Sequence, residues 1–141
     1  MTTPATGRSD DVAAIHRLDV LCIGEALAVA YPIGDLASSA EPRLAVHTGG
    51  AEANVALHLA AQGLRVGWTS RVGADPFGRK VLADLRRGGV DVSTVFVDDA
   101  HATGLYLKDT RPDGGTFMHY YRAGSAASRA RTCRSCAARP G

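Results

Sequence analysis

The chain has 141 residues, 45% hydrophobic and 21% charged. This is ordinary globular usage for one domain or part of one, and it excludes wholesale disorder and collagen-like repeats. The net charge of +2 comes from the end of the chain: Arg129, Arg131, Arg134 and Arg139 follow Arg122 with no acidic residue, and these four of the 16 basic residues leave 12 Lys and Arg against 14 Asp and Glu before them. A mildly acidic body gives no reason to expect a nucleic-acid partner. No stretch approaches the roughly 20 apolar residues of a membrane span. Asp10 and Asp11 stand where a secretory signal needs an apolar core, and Cys22, Cys133 and Cys136 make no disulfide framework. A cytoplasmic protein is expected.

Residues 1–18, rich in Thr, Ala, Ser and Asp, read as a loose leader. Val20 to Ile23 is a short apolar run stopped by Gly24, which predicts a buried strand. Residues 26–48 carry Pro32, Gly34 and Pro42 among short apolar runs, so short strands and turns are expected, with Leu44 to Thr48 the better strand. Gly49-Gly50 opens a helix over about 51–62, rich in Ala and Leu and closed by Gly63. Val66 to Val72 predicts the next strand. Asp75-Pro76 pairs an N-cap with proline at the first helical position; Phe77, Val81 and Leu85 then form one apolar stripe beside Leu82, ended by Gly88-Gly89. Val92 to Val97 predicts a further strand. This alternation is that of an α/β fold.

The pattern then changes. Thr103 to Thr110 and Thr116 to Arg122 are strand-like runs around Arg111-Pro-Asp-Gly-Gly115, a turn composition, so an antiparallel hairpin is expected. With Thr110 opposite Thr116, Tyr106 faces Tyr120, Lys108 faces Met118 and Gly104 faces Arg122, all on one side. Leu105, Leu107, Phe117, His119 and Tyr121 take the other. After Tyr121 there is no Leu, Ile, Val, Met or aromatic residue, and residues 126–141 read as a non-native or disordered tail.

Chemistry-bearing residues gather at two places. Glycines at 49 and 50 let a ligand approach the backbone at a helix start, where free N–H groups favour anions or oxygens; a tight strand-to-helix turn is the alternative. Asn54, in the first helical turn, can donate to and accept from a hydroxyl, or serve as a local cap. On the hairpin, Tyr106 and Tyr120 offer flat walls with O–H groups and Arg122 a planar fork for a carboxylate; an ordinary surface strand is the alternative, and Lys108 reads as solvated. Glu25 lies at the C-terminal end of a strand, where α/β folds bind ligands, and is equally well a surface carboxylate. Cys133-Arg-Ser-Cys136 lacks a second pair for a zinc site, the five histidines lack metal spacing, and neither a dinucleotide fingerprint nor a P-loop is present.

Gly49-Gly-Ala-Glu-Ala-Asn-Val-Ala56, with Gly63 and Gly73 at their spacings, resembles the N-terminal signature of the PfkB-type, ribokinase-like carbohydrate kinases. Glu52 stands where the strict signature has Gly, Ala or Pro. That variant, Gly24-Glu-Ala-Leu27, Thr103-Gly-Leu-Tyr-Leu107 and Tyr120-Tyr-Arg-Ala-Gly-Ser-Ala126 look like the 2-keto-3-deoxygluconate kinase branch. The resemblance covers about residues 19–128. It implies the N-terminal part of a doubly wound α/β sheet over 19–125, with a small β lid from about 26–48 and 103–122. It implies that Gly49, Gly50 and Asn54 lie at the sugar, with Tyr106, Tyr120 and Arg122 as lid residues for an acidic one. It further implies ATP and Mg2+ as cofactors and a possible homodimer through the lid.

The family's catalytic aspartate and Gly-rich anion hole belong to a C-terminal Gly-Ala-Gly-Asp motif, and phosphoryl transfer needs both. Gly73-Ala-Asp75 is part of the N-terminal signature instead. No catalytic, metal or nucleotide-binding residue is therefore assigned here, and this chain alone is expected to be inactive. Two alternatives stand: a kinase of a neutral sugar or a nucleoside, and a non-enzymatic binding or dimerising module.

Overall fold

The computed structural model describes residues 17–36, 38–110 and 114–129; residues 1–16 of the expected leader, the tail from residue 130 with its CxxC pair, and most of the hairpin turn lie outside them. In chain order come β1 (Val20–Ile23), β2 (Leu27–Ile33), β3 (Arg43–Gly49), helix α1 (Ala51–Ala61), β4 (Val66–Thr69), β5 (Arg71–Gly73), helix α2 (Pro76–Arg87), β6 (Phe96–Asp98), β7 (Leu105–Thr110), β8 (Thr116–Tyr121) and a 3-10 turn (Ala127–Arg129). No helix among the described residues is long and apolar enough to cross a membrane.

Two parallel pairs, β1–β4 and β5–β6, carry the body, and a separate sheet runs in the order β3-β2-β7-β8. The core fills the space between the parallel strands and the helices: Trp68, Val66, Val72, Val81 and Leu85 are each 2% exposed or less. Side chains of this kind contribute about 1.5–3 kcal/mol apiece on burial. Helix α1 turns only Ala53 and Ala56 fully inward, so small side chains let its backbone lie close to the body strands. Gly63, with φ 88°, ends it in the left-handed conformation. Helix α2 buries Val81, Leu82 and Leu85, while Phe77, the first residue of the expected stripe, is half-buried.

Two predicted strands are corrected. Val66 to Val72 is not one strand: it breaks at Ser70 into β4 and β5, which pair with different partners. Ser70 O accepts from Phe96 N at 3.0 Å, marking the changeover. Val92 to Val97 shrinks to Phe96–Asp98, because Asp91 Oδ1 accepts from Ser93 N (2.8 Å) and Val95 N donates to Val92 O (3.1 Å), closing a turn instead. Ala126, expected as the first tail residue, is fully buried and donates its N–H to Ala102 O at 2.8 Å.

The four-stranded sheet positions the site. The β7–β8 hairpin has the register expected from its sequence, Thr110 opposite Thr116 and Tyr106 opposite Tyr120. What joins it to the β2–β3 hairpin is a short parallel pairing, Ala28 to Ala30 beside Leu105 to Leu107. Ala28 N donates to Gly104 O at 2.9 Å, so by the two-residue period the nitrogens of Ala30 and Pro32 also face β7. Proline has no N–H to give. The pairing stops short of it, and the strands diverge around a cavity of about 640 Å³ lined by Tyr31, Pro32, Leu107, Lys108, Asp109 and His119, among others. The sheet is tied to the body by Asp84 of α2, which accepts from Thr48 Oγ1 of β3 at 2.7 Å and pairs with Lys80 and Arg87. Burial by itself would raise the Asp84 pKa, but these bonds together hold it below the ordinary value.

Asp75 caps α2 as its sequence predicts, and more: Oδ1 accepts from Gly78 N and Oδ2 from Thr103 N, both at 2.7 Å, while Thr103 Oγ1 accepts from Gly73 N at 2.8 Å. Replacing Asp75 with Ala removes a helix cap and the partner of a second backbone N–H, so we expect a loss of about 2–3 kcal/mol, read as a lowered urea midpoint. Asp98 gives a pH signature. Backbone N–H donation from Ala100, opposed by burial and reinforced by His101 and Arg71, holds its pKa down from 3.8 to about 2. A depressed carboxyl pKa adds stability that is complete above the unfolded value and is lost as pH falls through the folded one. Stability should therefore fall between about pH 4 and pH 2, and Asp98→Asn should flatten that part of the curve in acid-denaturation measurements; an unchanged slope would refute the assignment.

Candidate functional site

The glycine pair at the end of β3 is sterically required. A Cβ on Gly49 would meet Val29 Cγ2 at 2.5 Å and would stand 3.5 Å from the Tyr106 hydroxyl. Gly50 has φ 131°, and the Glu25 carbonyl fills the place its Cβ would take. The tight-turn alternative is thus what forms, with protein atoms of Val29 and Glu25 in the spaces that the glycines leave. Gly50 O accepts from Asn54 N at 2.9 Å, opening α1. The local-cap alternative for Asn54 is not what forms: the N-cap is Gly50 with no side-chain bond, and the exposed Asn54 side chain has no hydrogen bond among the described residues.

The hairpin supplies the opposite wall. Register places His47, Val29, Tyr106 and Tyr120 in one row across the sheet, with the two tyrosine rings 5.4 Å apart and tilted by 43°. One step towards the body lies a second row containing Gly49, Leu27, Gly104 and Arg122; the Cβ position of Gly104 is 3.4 Å from Arg122 Cβ. Gly49, Tyr106, Tyr120 and Arg122 therefore share one face, with the Tyr106 hydroxyl reaching back over Gly49.

Glu25 joins the two walls. Its carbonyl lies against Gly50, and its carboxylate holds Arg122 through Oε2 (2.6 Å to Nη2) and Ser125 through Oε1 (3.2 Å to Oγ). Sequence reasoning left Glu25 open between ligand site and surface. Its position at the end of a strand was the available signal; its partner could be found only from the fold. Glu52 has a steric counterpart too, since its side chain occupies the space a Cβ on Gly24 would need. Glu52, the position that departs from the strict signature, is thus packed against Gly24 of the Gly24-Glu-Ala-Leu27 run. Cys22, beneath them, is buried and free; burial first, and Glu52 second, push its thiol pKa up, which removes it as a nucleophile.

The described residues do not fit a metal or a phosphoryl-transfer centre. No three His, Cys, Asp or Glu side chains among them gather around one point, and both oxygens of Asp75, in the Gly73-Ala-Asp75 run, are committed to backbone N–H groups. The cavity at the outer end of the four-stranded sheet shares no residue with the site built from the glycine corner and the tyrosine–arginine wall.

Comparison with known proteins agrees with this architecture. A profile of the pfkB family carbohydrate kinases matches residues 17–136. The chain is 43% identical over 117 residues to a 2-dehydro-3-deoxygluconokinase of Bacillus subtilis, covering 79% of this chain and 35% of that protein. Among solved structures, a PfkB protein from Polaromonas sp. JS666 superimposes with a TM-score of 0.68 at 38% identity, over 80% of this chain and 38% of its own. A fructokinase with bound ATP from Xylella fastidiosa gives 0.70 at 28% identity, over 79% and 33%. The chain spans a little over a third of the length of the first of these relatives. A matching profile over most of its residues, on a fold shared with solved members, places the chain in the pfkB family of carbohydrate kinases.

Proposed function

We propose that these residues form the sugar-recognising part of an ATP-dependent kinase acting on a sugar acid, with 2-keto-3-deoxygluconate the preferred substrate. The observation that carries the reading is the single face on which Tyr106, Tyr120 and Arg122 stand beyond Gly49. Phenol rings give a sugar flat apolar walls and hydroxyl partners, the glycine corner brings the Tyr106 hydroxyl close to the start of α1, and the Asn54 amide is free to bond a hydroxyl. Arg122 is the cation suited to a carboxylate, which it can meet with paired N–H donors. In this reading ATP and Mg2+ act through groups other than the described residues of this chain, so the 141 residues recognise sugar without transferring phosphate.

A neutral ketose such as fructose is the second reading. What favours it is that Arg122 already has a carboxylate partner in Glu25, which lowers the net charge the site offers an anion.

Calorimetric titration of this chain with 2-keto-3-deoxygluconate and with fructose separates the two. We expect the sugar acid to bind more tightly, and Arg122→Ala to weaken it by about tenfold while leaving fructose nearly unchanged. The expected size is a charge-assisted bond of roughly 1.5–3 kcal/mol, discounted because Arg122 is partly solvent-exposed. Equal losses for both sugars would remove the carboxylate role. Phosphorylation of either sugar by this chain with ATP would overturn the division between recognition and transfer.

A further inference from the structure

Arg122 stands on the sheet face that also carries Lys108 and Arg43, yet among the described residues it alone of these three cations has an ion-pair partner. That partner is unusually well held. The Glu25 side chain is 17% exposed against 54% for Arg122, and its second oxygen accepts from Ser125 Oγ. Ser125 is itself buried: its N–H donates to Arg122 O at 3.0 Å, and its O and Oγ accept from Ser128. The turn after β8 and the end of β1 are thus joined through one carboxylate. Between them lies Gly104, where a Cβ would stand 3.0 Å from Glu25 Oε1, so the pair forms across a position without a side chain.

A long arginine side chain on a surface strand samples several rotamers, and fixing it costs conformational entropy. A half-buried carboxylate bonded to one terminal nitrogen fixes it in advance and leaves the remaining guanidinium N–H donors for another acceptor. We infer that Glu25 is a positioning residue for sugar-acid recognition: its carboxylate, steadied by Ser125, holds the Arg122 guanidinium in place at the base of the tyrosine wall before ligand arrives. The inference rests on the sugar-acid reading for its consequence, but the holding itself is a property of the free chain.

Two measurements test it. In the ligand-free chain, nitrogen-15 spectra of the arginine side chains should show hindered rotation of the Arg122 guanidinium, lost in Glu25→Gln. Free rotation in the parent chain, or hindered rotation that survives Glu25→Gln, overturns the inference whatever the chain binds. In titrations with D-gluconate and D-glucose, Glu25→Gln should weaken gluconate about tenfold, the scale of one charge-assisted bond, and move glucose less than twofold. The same change made in an Arg122→Gln background should add no further loss.

A gluconate affinity unchanged or raised by Glu25→Gln, or a loss of full size without Arg122, overturns the positioning role. Ser125→Ala keeps both charges and reads the same contact if Glu25→Gln fails to fold: gluconate should weaken about threefold with glucose unchanged, and no change overturns the role. A parent chain that binds gluconate no better than glucose defeats the sugar-acid reading instead, and the ligand-free spectra then decide whether Glu25 holds Arg122.

Discussion

At Gly50 the Glu25 carbonyl occupies the space of a missing Cβ while the backbone takes a φ of 131°, a conformation that side-chain-bearing residues rarely adopt. This close approach determines where β1 ends relative to the start of α1. Because Glu25 is held there by its main chain, its carboxylate emerges beside the end of β8, and because Gly49 is equally bare, the Tyr106 hydroxyl can reach back over the same corner. The walls of the site are placed by contacts to a few atoms of the backbone, not by a large packed interface.

The four-stranded sheet is built to stand away from the body. Its inner strand β2 is buried over Leu27–Ala30 and meets α2, whereas every residue of β8 is exposed. Only three residue pairs join its two hairpins, since Pro32 has no N–H to continue the ladder. The link from Thr48 to Asp84 then fixes the inner end of β3, immediately before the glycine pair. A sheet rigid at its base and loosely joined at its tip suits a surface that meets a small ligand near the body.

Charge decides how the site reads chemically. A tyrosine wall alone would accept any sugar. In the proposed reading Arg122 would add selectivity for an anion, and Glu25 would temper it by neutralising the pair while holding the guanidinium in one place. Removing either partner leaves the other charge partly buried and unpaired, which is why such pairs are sensitive to single substitutions. Sugar-acid and fructose kinases both occur among the relatives, and the proposed reading puts the divergence between the two chemistries at this one ion pair.

Local chemistry made much of the fold legible. Asp75-Pro76 announces a helix start because a carboxylate cap and a fixed φ act within four residues, and the alternation in residues 105–110 and 116–121 determines which side chains share a face whatever surrounds them. The tyrosine–arginine wall followed from that parity, and the glycine corner from the backbone freedom of Gly49-Gly50. The break at Ser70, the turn through Val92 to Val95 and the parallel joint between β2 and β7 were not legible, because each depends on which distant strand offers a hydrogen-bond partner. The same holds for Glu25, whose carboxylate meets Ser125 from 100 positions away. Sequence determined which side chains share a sheet face; tertiary structure alone decided which charges meet there, since an ion pair forms only where folding brings remote side chains within a few ångströms.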